Sequence, residues 1–127
     1  MITCPKCTAP MESVTHSDIT VHRCTRCQGI WFDGATYRTL KQKPGADKID
    51  IGNAAVGHKN DSMTGVLCPV CRTVMDIKPD LFQPHIHYDV CPNGDGVYFD
   101  AGEFRDFVKE GLGDFFKDIL AGKRNHY

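Results

Sequence analysis

The sequence predicts a small α+β fold made of two similar units in tandem, because three features recur in the same order in both halves of the 127-residue chain. A Cys-Pro-x-Cys pair comes first, with a Met four residues after it. A stretch with strand-like alternation follows. A second cysteine motif then ends in an aliphatic residue, an aromatic residue, Phe and Asp. This motif reads CTRCQGIWFD in the first half and CPNGDGVYFD in the second, where Gly94 replaces a cysteine.

The cysteine spacing indicates that each unit is stabilised by a metal ion. In the first unit, one Cys-x-x-Cys pair is followed by another after sixteen residues. Each pair places two thiolates about 4 Å apart, and two pairs complete a tetrahedron with Zn–S bonds of about 2.3 Å. A redox pair would require a neighbouring βαβ pattern, which the sequence lacks. The predicted zinc ligands of the first unit are Cys4, Cys7, Cys24 and Cys27.

The second unit supplies only three thiolates, from Cys68, Cys71 and Cys91. We expect Asp95 to be the fourth ligand, since a carboxylate oxygen binds Zn²⁺ at about 2.0 to 2.2 Å. His87 is four strand residues from Cys91, about 13 Å along an extended chain, which is too far for a shared metal unless the strand bulges. The alternatives that stay open are a histidine, His58, His85 or His87, and a water molecule or an empty position.

An open position on zinc would be the arrangement of a catalytic site. Three thiolates, however, make the metal a poor Lewis acid, and no general base is evident near them in the sequence. We therefore expect no catalytic residues and predict that the protein is not an enzyme.

The composition of the chain limits the classes of protein to which it could belong. The seven cysteines are an odd number, which argues against a secreted disulfide framework. No apolar run reaches the roughly 18 to 20 residues that span a bilayer. The first residues, MITCPKC, lack the apolar core of a signal peptide, so we expect a cytoplasmic protein without a membrane partner. The net charge is −1, which excludes a strongly basic protein, although residues 1–48 carry seven Lys or Arg against four Asp or Glu.

In the first unit, residues 11–15 and 19–23 predict a short hairpin that turns at His16-Ser-Asp. Residues 30–32 add a third strand. Asp33 is the predicted cap of a helix in ATYRTLKQK, which ends before Pro44.

The second unit repeats this order with a longer loop, in DIKPDLFQPHIHYDV, and a longer helix. Asp100 and Glu103 fit a capping box at the start of that helix. Apolar residues at steps of three and four predict an amphipathic helix over residues 100–121. Its apolar stripe consists of Phe104, Phe107, Val108, Leu112, Phe115, Phe116, Ile119 and Leu120.

These patterns divide the chain into a first unit at residues 1–43 and a second unit with its C-terminal helix at residues 67–127. Residues 44–66 are rich in Gly, Asn, Asp and Lys with little periodicity, which predicts a flexible linker. The alternative is that IDIGNAAVG forms a short added strand.

The motifs CPKC…CTRCQGIWFD and CPVC…CPNGDGVYFDAGEF resemble the bacterial zinc fingers named after transcription factor IIB. The resemblance covers most of the chain apart from residues 44–66 and the C-terminal dozen. It implies that each unit is a zinc ribbon, that the chain binds two Zn²⁺ ions, and that it has a link to transcription. The sequence departs from the family at Gly94, and at Ala35-Thr36-Tyr37, where the family favours Glu followed by an aliphatic residue.

Two functions remain for such a protein. We predict a non-catalytic interaction or adaptor module that binds a protein partner or a second copy through the helix at residues 100–121. The alternative is a nucleic-acid-binding or transcription-associated protein whose Lys6, Arg23 and Arg26 contact phosphates weakly. Trp31 and Tyr98 are expected to pack over the small cores, with a base-stacking platform as the alternative.

Overall fold

The strands of the described chain join in one antiparallel sheet with the order β1-β2-β3-β6-β5-β4. The structure is a computed structural model and describes residues 2–110. Each unit contributes three consecutive strands, and the sheet continues from one unit to the other through β3 and β6. The strands are β1 (Met11–His16), β2 (Ile19–Cys24), β3 (Ile30–Asp33), β4 (Asp76–Pro79), β5 (His87–Val90) and β6 (Gly96–Phe99).

The predicted hairpin of the first unit is confirmed. Strands β1 and β2 pair from Met11↔Cys24 to His16↔Ile19, which leaves a two-residue turn. Ser17 and Asp18 have φ angles of 51° and 66°. Positive φ at both central residues is what a type I′ hairpin turn requires, because this turn matches the twist of the two strands.

Side chains alternate between the two faces of the sheet at the junction of β3 and β6. Trp31 lies opposite Tyr98, and both side chains belong to the cluster that contains the cysteines. Their neighbours Ile30, Phe32 and Phe99 belong to the cluster on the other face. One face of the sheet therefore carries the metal-binding motifs, and the other carries the helices.

The helix-side core is mostly aromatic and aliphatic. Helix α1 (Thr36–Lys41) buries Tyr37 and Leu40 in it. The ring centroids of Phe32 and Phe104 lie 4.7 Å apart, a distance at which aromatic rings attract beyond simple burial. The members of this cluster are Val21, Ile30, Phe32, Tyr37, Leu40, Ala46, Ile49, Ile86, Tyr88, Val97, Phe99, Phe104, Phe107 and Val108.

The segment at residues 44–66 is not the flexible linker that its composition predicts, and the alternative of an added strand is also wrong. It contains a 3-10 helix (Ala46–Ile49) and helix α2 (Ala54–Asn60). Ala46 and Ile49 are buried in the helix-side core. These buried residues help to fix a segment whose composition otherwise favours a loop. The boundaries of the units at residues 43 and 67 stay a prediction.

The final helix of the second unit, α3, begins at residue 103 and is described as far as residue 110. Its N-terminus is capped by Asp50, from the connecting segment 44–66, and the predicted capping box is wrong. The Asp50 carboxylate accepts from the backbone N–H groups of Gly102 at 3.0 Å and Arg105 at 2.9 Å. The Asp100 carboxylate instead binds Lys6 Nζ at 2.9 Å.

The predicted cap of α1 is also wrong. Asp33 accepts a hydrogen bond of 3.0 Å from the indole Nε1 of Trp31, and α1 has no side-chain cap. Because a buried indole N–H needs a partner, the nearest carboxylate satisfies it and is lost to the helix.

The part of α3 that is described confirms the start of the predicted amphipathic helix. Phe104, Phe107 and Val108 are buried in the helix-side core. The later members of the stripe, Leu112, Phe115, Phe116, Ile119 and Leu120, lie outside the described residues. Among residues 2–110, no helix has the length and apolar character needed to cross a bilayer.

We expect Asp50→Ala to lower the free energy of unfolding by about 2 kcal/mol, because it leaves two N–H groups at the start of α3 without their acceptor. Denaturant unfolding of the zinc-loaded protein measures this change. The matched control is Asp47→Ala, from the same segment, whose carboxylate lies 3.9 Å from Lys109 at the surface. An ion pair this long, with its lysine exposed, contributes about 0 to 1 kcal/mol, so equal losses in the two variants would contradict the capping role.

Candidate metal centres

Each Cys-Pro-x-Cys motif forms the same turn. The backbone N–H of Thr8 donates to the carbonyl of Cys4 at 3.0 Å, and that of Arg72 donates to the carbonyl of Cys68 at 2.9 Å. Thr8 and Arg72 follow the second cysteine of their pairs and have φ angles of 65° and 67°. The positive φ closes the turn and keeps both thiol groups of the pair on its inner side.

The first site brings together the four cysteines that the spacing predicts: Cys4, Cys7, Cys24 and Cys27. Their sulfur atoms all lie within 4.8 Å of one another. The Sγ–Sγ distance is 3.7 Å between Cys4 and Cys27 and 3.3 Å between Cys7 and Cys24. The edge of a tetrahedron with Zn–S bonds of 2.3 Å is about 3.8 Å, so the group fits a zinc ion with little adjustment.

Donors around the first site come from both units. The backbone N–H groups of Arg26 and Cys27 point to Cys24 Sγ at 3.3 and 3.4 Å. The hydroxyl of Tyr98, from the second unit, lies 3.2 Å from Cys4 Sγ and 3.3 Å from Cys27 Sγ. Burial and the adjacent cysteine charges raise the pKa of Tyr98 well above its usual value, so this hydroxyl keeps its proton.

A contact between two cysteines of the first site shifts their pKa values in opposite directions. The contact with Cys4 lowers the pKa of Cys27, while the same contact and burial raise the pKa of Cys4. A hydrogen bond from one thiol to its neighbour thus stabilises a thiolate at Cys27. Burial also raises the pKa of Cys24, so Cys4 and Cys24 need the charge of a bound Zn²⁺ to lose their protons.

The second site brings Asp95 together with the three remaining cysteines. The four ligand atoms lie within 4.8 Å of one another. Asp95 Oδ2 is 3.6 Å from the sulfur atoms of both Cys68 and Cys91, and Cys71 Sγ is 3.6 Å from Cys91 Sγ. For zinc with one oxygen and three sulfur ligands, the S–O edge is about 3.5 Å, so this group also fits the metal.

The histidines considered as alternatives lie elsewhere. His85 is hydrogen-bonded to Glu110, and His58 Nδ1 lies 3.4 Å from a carboxylate oxygen of Asp61. His87 is exposed at the start of β5. None of the three belongs to the group around Cys91 within the described chain.

The two sites differ in exposure and in the type of their fourth ligand. In the first site no cysteine is exposed, whereas in the second Cys71 is exposed and Asp95 is only half-buried. The contact with Cys71 is the main cause that lowers the pKa of Asp95, so the carboxylate stays ionised as a ligand should. Water and protons therefore reach the second site more easily than the first.

Lys6 is the most unexpected charged residue, because its side chain is fully buried. Its ammonium lies 3.0 Å from Asp89 and 2.9 Å from Asp100, and it also donates to the carbonyl of Asn60 at 2.9 Å. Burial opposes its charge, but Asp100 and Asp89 hold its pKa above the usual value. Lys6 thus joins the first unit to the second and is not available to phosphates.

Of the other basic residues predicted to contact phosphates, Arg23 is also engaged. It forms an ion pair of 3.1 Å with Glu12 and donates to the carbonyl of Ile49 at 2.9 Å. Arg26 is exposed. The three residues therefore do not form the basic surface that the sequence suggests.

Trp31 and Tyr98 are fully buried, which confirms that they pack within the core. A base-stacking platform needs an exposed ring face, so this alternative is wrong. The sequence indicated the packing but not the Tyr98 hydroxyl contact with the first site. The only signal was that the second copy of the motif has a tyrosine where the first has a tryptophan.

Residues 3–43 match the zinc-ribbon family model of the transcription factor IIB type, described as "Transcription factor zinc-finger". The match covers about a third of the chain and includes all four cysteines of the first site. No curated protein and no solved structure matches the chain. Residues 3–43 are thus similar to zinc ribbons of this type, and both cysteine groups could hold a zinc ion.

We expect two zinc ions per chain, held unequally. The second site should lose its ion first as the pH falls or as a chelator is added, because it has one thiolate fewer and is more exposed. Native mass spectrometry under gentle conditions counts the bound ions. A count of zero or one at neutral pH, or simultaneous loss of both ions throughout a chelator titration, would contradict this expectation.

The role of Asp95 can be tested by substitution. Asp95→Ala should weaken zinc binding at the second site, and Asp95→His should keep or raise it, because imidazole is the more usual companion of three thiolates. The control is the double variant His85→Ala/His87→Ala, which should leave the zinc count unchanged. Loss of zinc in the histidine variant but not in Asp95→Ala would show that the carboxylate is not the ligand.

Proposed function

We propose that the protein is a non-catalytic zinc-binding adaptor that pairs with a second copy of itself through its C-terminal region, residues 100–121, together with the adjacent loop at residues 80–86. In this role the zinc sites are structural. They hold two small units rigid and leave the apolar surface of the second unit free to bind.

The observation that carries the proposal is the exposure of two large apolar side chains on the loop between β4 and β5. Leu81 is 82% exposed and Phe82 is 79% exposed. Single exposed apolar residues are common on protein surfaces, but two adjacent ones of this size at the tip of a loop are typical of a contact surface.

The loop is held in place by Asp80, which is buried. Its carboxylate accepts from the backbone N–H groups of Phe82 and Gln83, each at 3.0 Å. The hydroxyl of Tyr88 and the guanidinium of Arg38 donate to its other oxygen at 2.8 and 3.0 Å. A loop fixed in this way loses little conformational entropy when it binds, which favours association.

The loop also lies beside the C-terminal region. His85 on the loop is hydrogen-bonded to Glu110, the last described residue of α3. The described part of α3 therefore ends beside the loop that carries Leu81 and Phe82.

The burial of apolar side chains would stabilise a pair of chains. Phe104, Phe107 and Val108 already fill the helix-side core. The remaining apolar residues of the stripe, from Phe115 to Leu120, would each gain about 1.5 to 3 kcal/mol on burial. A two-fold pair in which both copies use the same surface is the commonest form of self-association.

The chemistry of the metal sites supports a non-catalytic role. Each group presents four protein ligands to a metal, which leaves no position for a water molecule or a substrate. The family that the first unit matches is one of zinc-finger modules.

A nucleic-acid-binding or transcription-associated role is the second candidate, and the description of the matched family favours it. The engagement of Lys6 and Arg23 within the fold weighs against it. Only a few cations remain near the first site, so binding should be weak, with a shallow dependence on salt. Sub-micromolar, sequence-selective binding at physiological salt would place this role first.

We expect the zinc-loaded protein to sediment as a dimer, and both Phe82→Asp and the double variant Phe115→Asp/Phe116→Asp to sediment as folded monomers. A charge on the contact surface loses the burial energy and repels its copy in the pair. The matched control is Ile51→Asp, which changes an apolar residue of 53% exposure in the connecting segment and should leave the dimer intact.

Two results would contradict the proposal. A wild-type monomer whose Phe115→Asp/Phe116→Asp variant unfolds would show that the C-terminal region folds back on its own chain. A wild-type dimer that survives Phe82→Asp and the double variant would place the contact on another surface.

A further inference from the structure

We propose that Tyr98, which belongs to the second unit, is a positioning residue of the first metal site, so that zinc affinity at this site depends on the second unit. The inference rests on metal binding by Cys4, Cys7, Cys24 and Cys27 and is independent of self-association. Nothing in the cysteine motif of the first unit specifies this contact, because the tyrosine is 71 residues from Cys27.

The geometry places one hydroxyl between two sulfur atoms. Tyr98 Oη lies 3.2 Å from Cys4 Sγ and 3.3 Å from Cys27 Sγ, and the residue has no exposed surface. The metal-bound sulfurs are thiolates and have no proton to donate, so the hydroxyl is the donor. Its single proton is shared between the two sulfurs or alternates between them.

The position of the ring is fixed by a cavity that glycine creates. A Cβ on Gly29 would lie 1.9 Å from Tyr98 Oη, so a larger residue there would displace the ring. Gly29 is the glycine of the first cysteine motif, and Gly96 is its counterpart in the second. A Cβ on Gly96 would lie 2.5 Å from Cζ2 of Trp31. Each motif glycine therefore makes room for the aromatic residue of the other unit.

Each of the two aromatic residues packs against the glycine of the other unit, but their hydrogen bonds differ. Trp31, the counterpart of Tyr98, directs its indole N–H to Asp33 at 3.0 Å. In the second site, the side-chain donor to a sulfur is Asn93, from the same unit, with Nδ2 3.5 Å from Cys71 Sγ. Among the described contacts, only the first site receives a side-chain donor from the other unit.

Charge explains what the hydroxyl does. Four thiolates around Zn²⁺ carry a net charge of −2, and burial makes this charge costly. A hydrogen bond to a ligand atom spreads the charge and fixes the orientation of the sulfur. Removing an outer-shell partner of this kind typically lowers metal affinity by about 10- to 100-fold.

The same strand connects the two sites. Asp95 immediately precedes β6, and Tyr98 lies three residues further along. A metal bound by Asp95 therefore fixes the start of the strand that carries Tyr98. This arrangement predicts that filling the second site strengthens binding at the first, and by linkage the reverse.

The test is Tyr98→Phe in the full chain, which keeps the ring and removes the hydroxyl. Competition with a chelator should show zinc affinity at the first site lowered by about 10-fold or more. In the cobalt-substituted protein, the sulfur-to-cobalt charge-transfer band should move to lower energy, because thiolates without the hydrogen bond hold their electrons less tightly. The matched control is Tyr88→Phe, which removes a buried hydroxyl that donates to Asp80 at 2.8 Å. It should change stability but not the cobalt spectrum.

Unchanged affinity and an unchanged spectrum in Tyr98→Phe would overturn the proposal. If that variant does not fold, nuclear magnetic resonance of the wild-type protein tests the hydrogen bond. For this measurement the protein is loaded with a spin-active cadmium isotope. The expected result is a hydroxyl proton on Tyr98 that exchanges slowly and is coupled to the first-site cadmium. Rapid exchange with water, or a slow proton without that coupling, would contradict the hydrogen bond. These measurements report on metal binding and not on association, so their outcome is separate from that of the sedimentation experiment.

Discussion

The pairing of β3 with β6 is the constraint on which the rest of the structure depends. These two strands turn two small units into one sheet, and their alternation assigns each side chain to a face. Trp31 and Tyr98 point toward the cysteines, whereas their neighbours along the strands point toward the helices. A shift of the register by one residue would exchange the two faces, bury the wrong side chains and separate Tyr98 from the first site. Units this small bury little apolar surface alone, so the shared sheet and the metals together make the fold stable.

Charged residues reinforce this junction because their partners come from distant parts of the chain. Lys6, beside the first site, is neutralised by Asp89 and Asp100 of the second unit. Asp50, in the connecting segment, caps the helix that follows β6. A buried ion that loses its partner is strongly destabilising, commonly by about 3 to 5 kcal/mol, so these contacts penalise any separation of the two units. The connecting segment is therefore part of the junction, although its composition resembles that of a spacer.

The sequence predicts the features that depend on local pattern. The cysteine spacing, the hairpin at Ser17 and the start of the final helix follow from residues close together in the chain, and the structure has all three. The structure has no cap at Asp33 or Asp100. Each carboxylate binds another donor instead, and for Asp100 that donor is 94 residues away. No local pattern in the sequence indicates a contact over such a distance. The repeat also carries a signal for the packing of the two units. Each copy has a glycine and an aromatic residue at matching positions, Gly29 with Trp31 and Gly96 with Tyr98, and each glycine makes room for the aromatic residue of the other unit.

Divergence between the two copies separates their roles. The first copy keeps four thiolates, has no exposed cysteine and places a lysine in the interior. The second replaces one thiolate with a carboxylate and exposes apolar residues where the first has polar residues or proline. Counting from the first cysteine of each unit, Thr3, Lys6, Pro10 and Ser13 correspond to Leu67, Val70, Val74 and Ile77, and the latter four are all exposed. Because the apolar loop at Leu81 and Phe82 lies on this same unit, exposed apolar surface is concentrated there. In the proposed association, the first unit would be the rigid support, and the second would combine the more exposed metal site with the contact surface.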